Sequence, residues 1–375
     1  MINDRKVDFF SASLLFCFSL MFNNLSVGPV FLSDIFTLIA VVLLTAGDNL
    51  KYNVSSNEKI LYLLFIIFIC HSIFIITYHG GDYLNEVLRS FRVPLYYYVI
   101  SQLFVRFREI LYTVFVVFVV VHSILVVAGA LNQQVFEFLG AFIRYEKLWW
   151  YGRGNGLTTS FDAAGFLILT AIILLSINVT KTKTFLAFFL LAAGFFTGRT
   201  FMVLGPIAFF IYHFVFQKRF AVTLIFILVL FLFSLIVNQI FPFLILFIEG
   251  LSSIGQGDGY YDTTGRLIIW AAQVADYISF LGTGKDLVGV DLGYLKTLHY
   301  GGLIYFLFQL SIVILIPLTL IRRVADFFPV LVFLTFFLIY NVKIYAFFSS
   351  IFMPVFFLLV FALANCNRTS RERSN

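Results

Sequence analysis

The chain contains very little charge, because only 12% of its 375 residues are Asp, Glu, Lys or Arg. A typical soluble domain carries about 25% charged residues, so a water-exposed globular fold is excluded. Cysteine is also scarce. Cys17, Cys70 and Cys366 lie in or beside apolar runs without a pairable spacing, so they indicate neither a disulfide framework nor a metal site.

Hydrophobic residues make up 61% of the chain, with 51 Phe and a mean hydropathy of +1.01. Apolar runs of about 17–25 residues are long enough to cross a bilayer, and the first run is followed by many more, unlike a signal peptide. The sequence predicts an all-α polytopic membrane protein, with residues 1–375 as a single transmembrane domain. The twelve predicted spans are 9–28, 30–46, 59–77, 91–105, 110–130, 161–179, 184–197, 200–216, 220–240, 298–320, 327–341 and 344–365.

Two long apolar runs are divided in this prediction. Gly198-Arg199-Thr200 interrupts the run 184–216, and Asn341-Val342-Lys343 interrupts the run 327–365. Lys181 and Lys183 before the first run, and Lys218 and Arg219 after it, favour the same side of a membrane. Two crossings are therefore expected in each run.

The distribution of charge predicts the orientation. With both termini in the cytoplasm, 15 of the 25 basic residues and seven of the 19 acidic residues lie on the cytoplasmic side. That gives the cytoplasmic side an excess of positive charge in short loops, as the positive-inside rule requires. The sequence pI of about 9.1 is thereby explained by topology, without a nucleic-acid partner.

The longer of two predicted outer loops, 241–297, contains an amphipathic pattern from Leu267 to Leu281 with Trp270 on its apolar stripe. Arg266 falls in the first turn, where helix N-termini prefer anions. An arginine beside unpaired N–H groups makes a site for an external anion such as phosphate. The alternative is an arginine at the bilayer interface that pairs with Asp262.

Arg199 follows a run of only about 14 residues, which spans about 21 Å as a helix. It is therefore expected at or slightly below the outer surface, where an arginine is costly unless it is paired or faces a cavity. The other predicted outer loop, 131–160, places Arg153 near Trp149 and Trp150. Aromatic faces stack on sugar rings, although aromatic residues also form interfacial belts.

Two more clusters precede predicted spans. Arg89 and Arg92 could bind an anion or pair with Asp82 and Glu86. The stretch "VGVDLGYLKTLHYGG", residues 288–302, contains a group of polar candidates. These are Asp291, Tyr294, Lys296 and His299.

The other histidines in or near apolar spans, His71, His122 and His213, are expected to be structural. No metal-ligand spacing and no glycine-rich phosphate loop occurs, so we expect neither a metal nor a cofactor. An enzyme that faces outward has no ATP or nucleotide sugar to use, so its donor would have to arrive already activated.

Together, "TGRT" at 197–200, "TGR" followed by Trp at 264–270 and "DLGYLKTLHYGG" at 291–302 resemble motifs of the bacterial O-antigen polymerases (Wzy) and O-antigen ligases (WaaL). The topology resembles that family over nearly the whole chain, and the motifs cover about 30 residues. The resemblance implies a metal-independent, inverting glycosyltransferase at the periplasmic face of the bacterial inner membrane. Its substrate would be an undecaprenyl-pyrophosphate-linked oligosaccharide.

Arg199 and Arg266 match the two arginines of that family that engage the lipid pyrophosphate. Asp291 stands where the ligases have a histidine, in a "D-x-GYL" form that is closer to the polymerases, and we favour it over His299 as proton acceptor. The candidate catalytic residues are thus Arg199, Arg266, Asp291 and His299. The candidate substrate-binding residues are Arg89, Arg92, Arg153, Trp270, Tyr294 and Lys296.

A polymerase is the favoured function. A ligase that passes finished chains to the lipid A core is an alternative within the same family. A non-enzymatic flippase or exporter of lipid-linked oligosaccharide is the alternative outside it, and such a transporter should show repeated halves or interrupted helices. A polysaccharide chain-length regulator is a further partner that the sequence leaves open.

Overall fold

The chain is predominantly α-helical in the structure, which is a computed structural model. The residues that the structure describes are 13, 16–20, 26–27, 30–46, 56–79, 84–143, 153–158, 160–177, 180–216, 279–284, 293–321, 324–343, 349 and 351–364. A two-residue antiparallel pair, β1 (Ser26–Val27) and β2 (Val30–Phe31), precedes the first long helix.

In the described part of the chain, ten α-helices follow in chain order. They are α1 (Leu32–Ala46), α2 (Ser56–His79), α3 (Leu84–Leu131), α4 (Gln133–Ile143), α5 (Phe161–Ser176), α6 (Lys181–Gly194), α7 (Arg199–Phe209), α8 (Gly293–Leu320), α9 (Val324–Lys343) and α10 (Phe352–Ala364). A π-helical turn, Phe210–Val215, continues α7.

Helix ends are set by local capping. The Ser160 hydroxyl accepts the Ala163 N–H at 3.0 Å and begins α5. Thr180 caps α6 in the same way, accepting the Lys183 N–H at 3.2 Å. These side chains satisfy backbone donors that the first helical turn leaves unpaired.

Among the described residues, three helical stretches are long and apolar enough to cross a membrane: Lys59–His79, Arg108–Leu131 and Gly293–Leu320. Five shorter apolar helices accompany them, and this content indicates a membrane protein. The number of spans is not established, because the predicted span 220–240 and most of 9–28 lie outside the described residues.

The core is built around α10, all of whose 13 residues are buried. Its apolar residues on every side suit a helix that other helices surround. Phe352 at the start of α10 packs on Phe166 of α5, with 4.7 Å between ring centroids. The two helices therefore begin at the same end of the bundle, which we call the α5 end.

The helical stretch α3 doubles back on itself within its 48 residues. Phe104 packs on Phe361, near the far end of α10, whereas His122 bonds to Leu157 beside the start of α5. The Phe104 and Tyr112 rings lie 5.9 Å apart, although eight residues of straight helix would separate them by about 12 Å. The predicted spans 91–105 and 110–130 both fall within α3.

Candidate functional site

The predicted break at Gly198 lies at the α5 end. Helix α6 ends at Gly194 and α7 begins at Arg199. The Gly198 N–H donates to the Phe161 carbonyl at 3.3 Å. A Cβ atom at Gly198 would overlap the Asp162 carboxylate. The start of α7 therefore lies directly against the first turn of α5.

Residues 153–158 form a turn that runs beside this break, and we call it the 153–158 turn. The Gly154 N–H donates to the Phe196 carbonyl at 2.7 Å. A Cβ atom at Gly154 would overlap the Val126 carbonyl oxygen, and Gly156 has a φ of +53°. Only glycine fits such close backbone approaches without strain.

His122 anchors the turn from inside the bundle. It is fully buried, and its Nδ1 atom accepts the Leu157 N–H at 3.0 Å. A ring nitrogen that accepts carries no proton, so the neutral ring has its proton on Nε2. Asn155 Nδ2 donates to the Thr158 carbonyl at 2.7 Å, and Thr158 Oγ1 donates to the Asn155 carbonyl at 2.8 Å. The turn is thus held at both ends.

Arg153, a predicted substrate-binding residue, is partly exposed at the start of this turn. Its guanidinium carbon lies 5.8 Å from the centroid of the Phe161 ring, within the range of a cation–π contact. Because the Phe161 carbonyl also accepts the Gly198 N–H, Arg153 and the backbone of Arg199 belong to adjoining segments. The predicted outer loop 131–160 thus contains both this turn and α4.

Two helix N-termini, those of α5 and α7, meet here, and N-termini favour anions. Asp162 lies in the first turn of α5 and supplies a negative charge, so the site is mixed in charge. Two polar groups also lie near Gly165 of α5. A Cβ atom at Gly165 would lie 2.9 Å from Thr197 Oγ1 and 3.3 Å from the hydroxyl oxygen of the buried Tyr340.

Helix α8 begins at the same end. Tyr294 Oη donates to the Leu338 carbonyl of α9 at 2.8 Å, so its proton is engaged within the protein. The Tyr294 ring packs edge-on against Phe306. Lys296 is partly exposed in the same first turn. Both predicted substrate-binding residues thus lie at the helix entry, and Tyr294 ties α8 to α9.

Helix α8 is interrupted at Gly302, whose φ is 72° and ψ −171°. Residues 279–284, which we call the inserted segment, replace the helical hydrogen bonds at this point. The replacement bonds are Thr283 N–H to the His299 carbonyl (2.8 Å), Gly284 N–H to the Tyr300 carbonyl (2.9 Å), Leu303 N–H to the Ser279 carbonyl (3.0 Å) and Ile304 N–H to the Phe280 carbonyl (3.4 Å).

His299, a predicted catalytic residue, lies at this interruption and is partly exposed. Thr283 Oγ1 lies 2.9 Å from the His299 carbonyl oxygen and 3.1 Å from Nδ1 of its ring. Irregular backbone at membrane depth is tolerated where it is buried in protein or lines a cavity. The contact therefore places a titratable ring at an unusual point of an apolar helix.

Arg92 is buried and forms a bidentate ion pair with Asp34 of α1, with Nη2–Oδ2 at 2.7 Å and Nε–Oδ1 at 2.5 Å. The described carboxylate partner is thus 58 residues away, whereas Asp82 and the side chain of Glu86 lie outside the described residues. Such a fork matches carboxylate geometry closely. Arg89 lies one turn earlier in α3, and its side chain is outside the described residues.

Several predicted residues have no structural description. Arg266, Trp270 and Asp291 lie outside the described residues, as does the side chain of Arg199. The predicted amphipathic helix 267–281 is described only at 279–281. Across the described part of the chain, no three His, Cys, Asp or Glu side chains form a group that could hold a metal ion.

Thr283 and Asp162 are site residues that the sequence did not single out. Thr283 is 16 residues from His299, and no local pattern connects them. The sequence signal for this irregular backbone was the glycines of "LGTG" at 281–284 and "YGG" at 300–302. Of these, Gly282, Gly284 and Gly302 have positive φ angles. Asp162 could have been noticed as an acid in an apolar helix start.

No family model, curated protein or solved structure matches this chain.

Proposed function

We propose that the protein is a polysaccharide polymerase of the O-antigen type. It would transfer a growing glycan from polyprenyl pyrophosphate onto a lipid-linked repeat unit. The observation that carries the proposal is the meeting of the 153–158 turn, the Gly198 break and the starts of α5 and α7 at one end of an apolar bundle. This is the end at which the sequence predicts an anion site.

The anion-binding part would comprise Arg199, Arg266 and Arg153. Cleavage of a sugar–pyrophosphate bond develops negative charge on the leaving group, and preorganised cations and N–H dipoles stabilise that charge. The first turn of α7 has no side-chain cap at Gly198, and a pyrophosphate suits such a helix start. Asp162 would limit the positive charge of the site when no donor is bound.

The reaction needs no metal. The hydroxyl oxygen of the acceptor sugar forms a bond to the anomeric carbon of the donor, and a base on the protein takes the hydroxyl proton. The bond from that carbon to the pyrophosphate oxygen breaks, and its electron pair leaves with undecaprenyl pyrophosphate. Attack opposite the leaving group inverts the anomeric centre.

We place the protein in the bacterial inner membrane, with both termini in the cytoplasm and the α5 end in the periplasm. Lys181 and Lys183 begin α6 at the opposite end of the bundle, and such basic turns favour the cytoplasm. Reporter fusions after residues 52 and 182 should both report cytoplasm, and fusions after 150 and 255 periplasm. Opposite signals at 52 and 182 would contradict the folded-back α3.

An exporter or flippase is the second candidate, because α8 is an interrupted helix, a feature common in transporters. A deletion strain separates the two functions. Single-repeat glycan on the cell surface supports the polymerase, whereas lipid-linked repeats trapped inside the cell support the flippase. Finished polymer that remains on the lipid carrier would indicate the ligase. A chain-length regulator would change only the length distribution.

A further inference from the structure

The inserted segment fixes the ring of His299. We infer that Thr283 is a positioning residue that holds His299 with its Nε2 atom as the proton acceptor. This inference rests on the proposed polymerase function, in which the acceptor hydroxyl must lose a proton. It assigns a role to Thr283 and replaces Asp291, which the sequence favoured, as the acceptor.

The first step is a count of protons. Thr283 Oγ1 has one proton and contacts two groups, the His299 carbonyl at 2.9 Å and the His299 Nδ1 atom at 3.1 Å. The hydroxyl donates its proton to the carbonyl, which is the shorter of the two contacts, and Oγ1 is then left to accept. The contact with Nδ1 is then a hydrogen bond only when Nδ1–H donates to Oγ1. In the neutral ring the basic lone pair lies on Nε2.

The second step is the rigidity of the arrangement. The Thr283 N–H donates to the same His299 carbonyl at 2.8 Å, and the neighbouring Gly284 N–H donates to Tyr300 at 2.9 Å. Gly282 and Gly302 approach so closely that a Cβ atom on either would overlap the other's backbone. Thr283 therefore cannot move away from the ring without breaking the backbone bonds that close the helix interruption.

The third step is the chemistry. The O–H bond of the acceptor sugar breaks, its proton moves to Nε2, and its oxygen bonds to the anomeric carbon as the pyrophosphate leaves with the electron pair of the broken bond. The resulting imidazolium keeps its Nδ1–H on Thr283 and later gives the Nε2 proton to solvent. Thr283 takes no proton itself. It keeps the ring in the tautomer and orientation that proton transfer requires.

The test uses two variants, of which the first keeps the volume of threonine and the second keeps its hydroxyl. Thr283→Val removes the hydroxyl, and Thr283→Ser retains it. With purified protein and lipid-linked repeats, Thr283→Val should lower kcat roughly tenfold, the effect of losing one hydrogen bond to a group that becomes charged. KM for the lipid-linked donor should stay unchanged, and Thr283→Ser should retain near-normal kcat. Equal kcat in Thr283→Val and wild type would overturn the inference.

A second readout does not depend on activity. Nitrogen NMR of ¹⁵N-histidine-labelled protein in lipid should show protonated Nδ1 at His299 in the wild type and loss of that preference in Thr283→Val. His122 should keep its proton on Nε2 in both proteins and serves as internal control. An unchanged His299 tautomer in Thr283→Val would overturn the inference. If the wild-type protein forms no polymer, but the His299 tautomer still differs between wild type and Thr283→Val, only the polymerase function is overturned.

The rival acceptor is tested in parallel. His299→Gln should lower kcat by about 10²–10⁴, the usual contribution of a general base. Asp291→Asn keeps shape and hydrogen bonding without basicity, and it should be milder. If Asp291→Asn abolishes polymerisation while His299→Gln leaves it intact, Asp291 is the proton acceptor and Thr283 does not position it.

Discussion

Two stretches of irregular backbone are inserted among the helices near the α5 end, and each packs against one histidine. The 153–158 turn presents a backbone N–H to His122, and the inserted segment presents the Thr283 hydroxyl to His299. The backbone N–H of Leu157 can only donate, so Nδ1 of His122 accepts. In the proposal, the Thr283 hydroxyl accepts from Nδ1–H of His299, which is the opposite tautomer. The comparison therefore sets a structural histidine against a proposed base.

Exposure separates the two histidines further. His122 is fully buried, and its Nε2 atom has no hydrogen-bond partner among the residues that the structure describes. His299 is partly exposed at the helix interruption. A proton acceptor must reach its substrate, so only His299 is placed for that role. His122 instead fixes the backbone that carries Arg153.

The largest expected effect contrasts these histidines directly. His299→Gln should reduce polymerisation by about 10²–10⁴. His122→Gln, whose amide oxygen can still accept the Leu157 N–H, should stay within several-fold of wild type. The measurement is the in vitro polymerisation rate of each variant on lipid-linked repeats. A similar loss in both variants would mean that the two insertions do not differ in role.

Next come the arginines of the proposed anion site. Arg199→Ala and Arg266→Ala should each lower kcat by about 10²–10³, as loss of a preorganised donor does. A lysine at either position should restore little of the lost kcat, because lysine lacks the bidentate fork of arginine. Surface glycan electrophoresis provides the measurement, with membrane protein level as control. Normal polymer length in both alanine variants would contradict the anion site.

Arg92→Ala provides the matched comparison for stability. Its partner Asp34, whose side chain is 14% exposed, would lose this ion pair, and the cost approaches the value of about 3–5 kcal/mol for a broken buried pair. We therefore expect a lower Tm and less folded protein, unlike Arg199→Ala. Arg92→Ala combined with Asp34→Ala should recover part of the loss. Normal folding together with a raised donor KM in Arg92→Ala would instead assign Arg92 to substrate binding.

Smaller effects are expected from the glycines. Gly156→Ala and Gly302→Ala force a side chain into left-handed backbone, which costs about 1–2 kcal/mol before any steric overlap. Gly129→Ala is the control, because its new Cβ would meet nothing closer than 3.7 Å and alanine favours helix. Thermal unfolding in detergent should rank Gly129→Ala as the most stable of the three. A neutral Gly302→Ala would show that the insertion is not fixed by this glycine.

Apolar periodicity predicted much of the helical framework. The described ends of α5 and α9, the break at Gly198 and the two arms of α3 follow from hydrophobic runs and from residues that interrupt them. These signals are local in the chain, so sequence alone contains them. The number of spans does not follow from the described residues, because the whole of the predicted span 220–240 and most of 9–28 lie outside them.

The contacts that build the site were less predictable. Asp34 pairs with Arg92 across 58 residues, whereas sequence reasoning offered the nearby acids Asp82 and Glu86. The inserted segment joins α8 through backbone hydrogen bonds, which almost any sequence can form. His122 was expected to be structural, and its contact with Leu157 explains how it anchors a turn. The pairing of Thr283 with His299 depends on this tertiary arrangement.

The most direct test of the proposed function uses the purified protein in lipid vesicles with its undecaprenyl-pyrophosphate-linked repeat units and a chelator present. We predict a ladder of longer glycans, one undecaprenyl pyrophosphate released for each linkage formed, and inverted stereochemistry at the new bond by NMR. Folded wild-type protein that forms no linkage while moving the same lipid-linked repeats across the vesicle membrane would contradict the polymerase and establish a transporter.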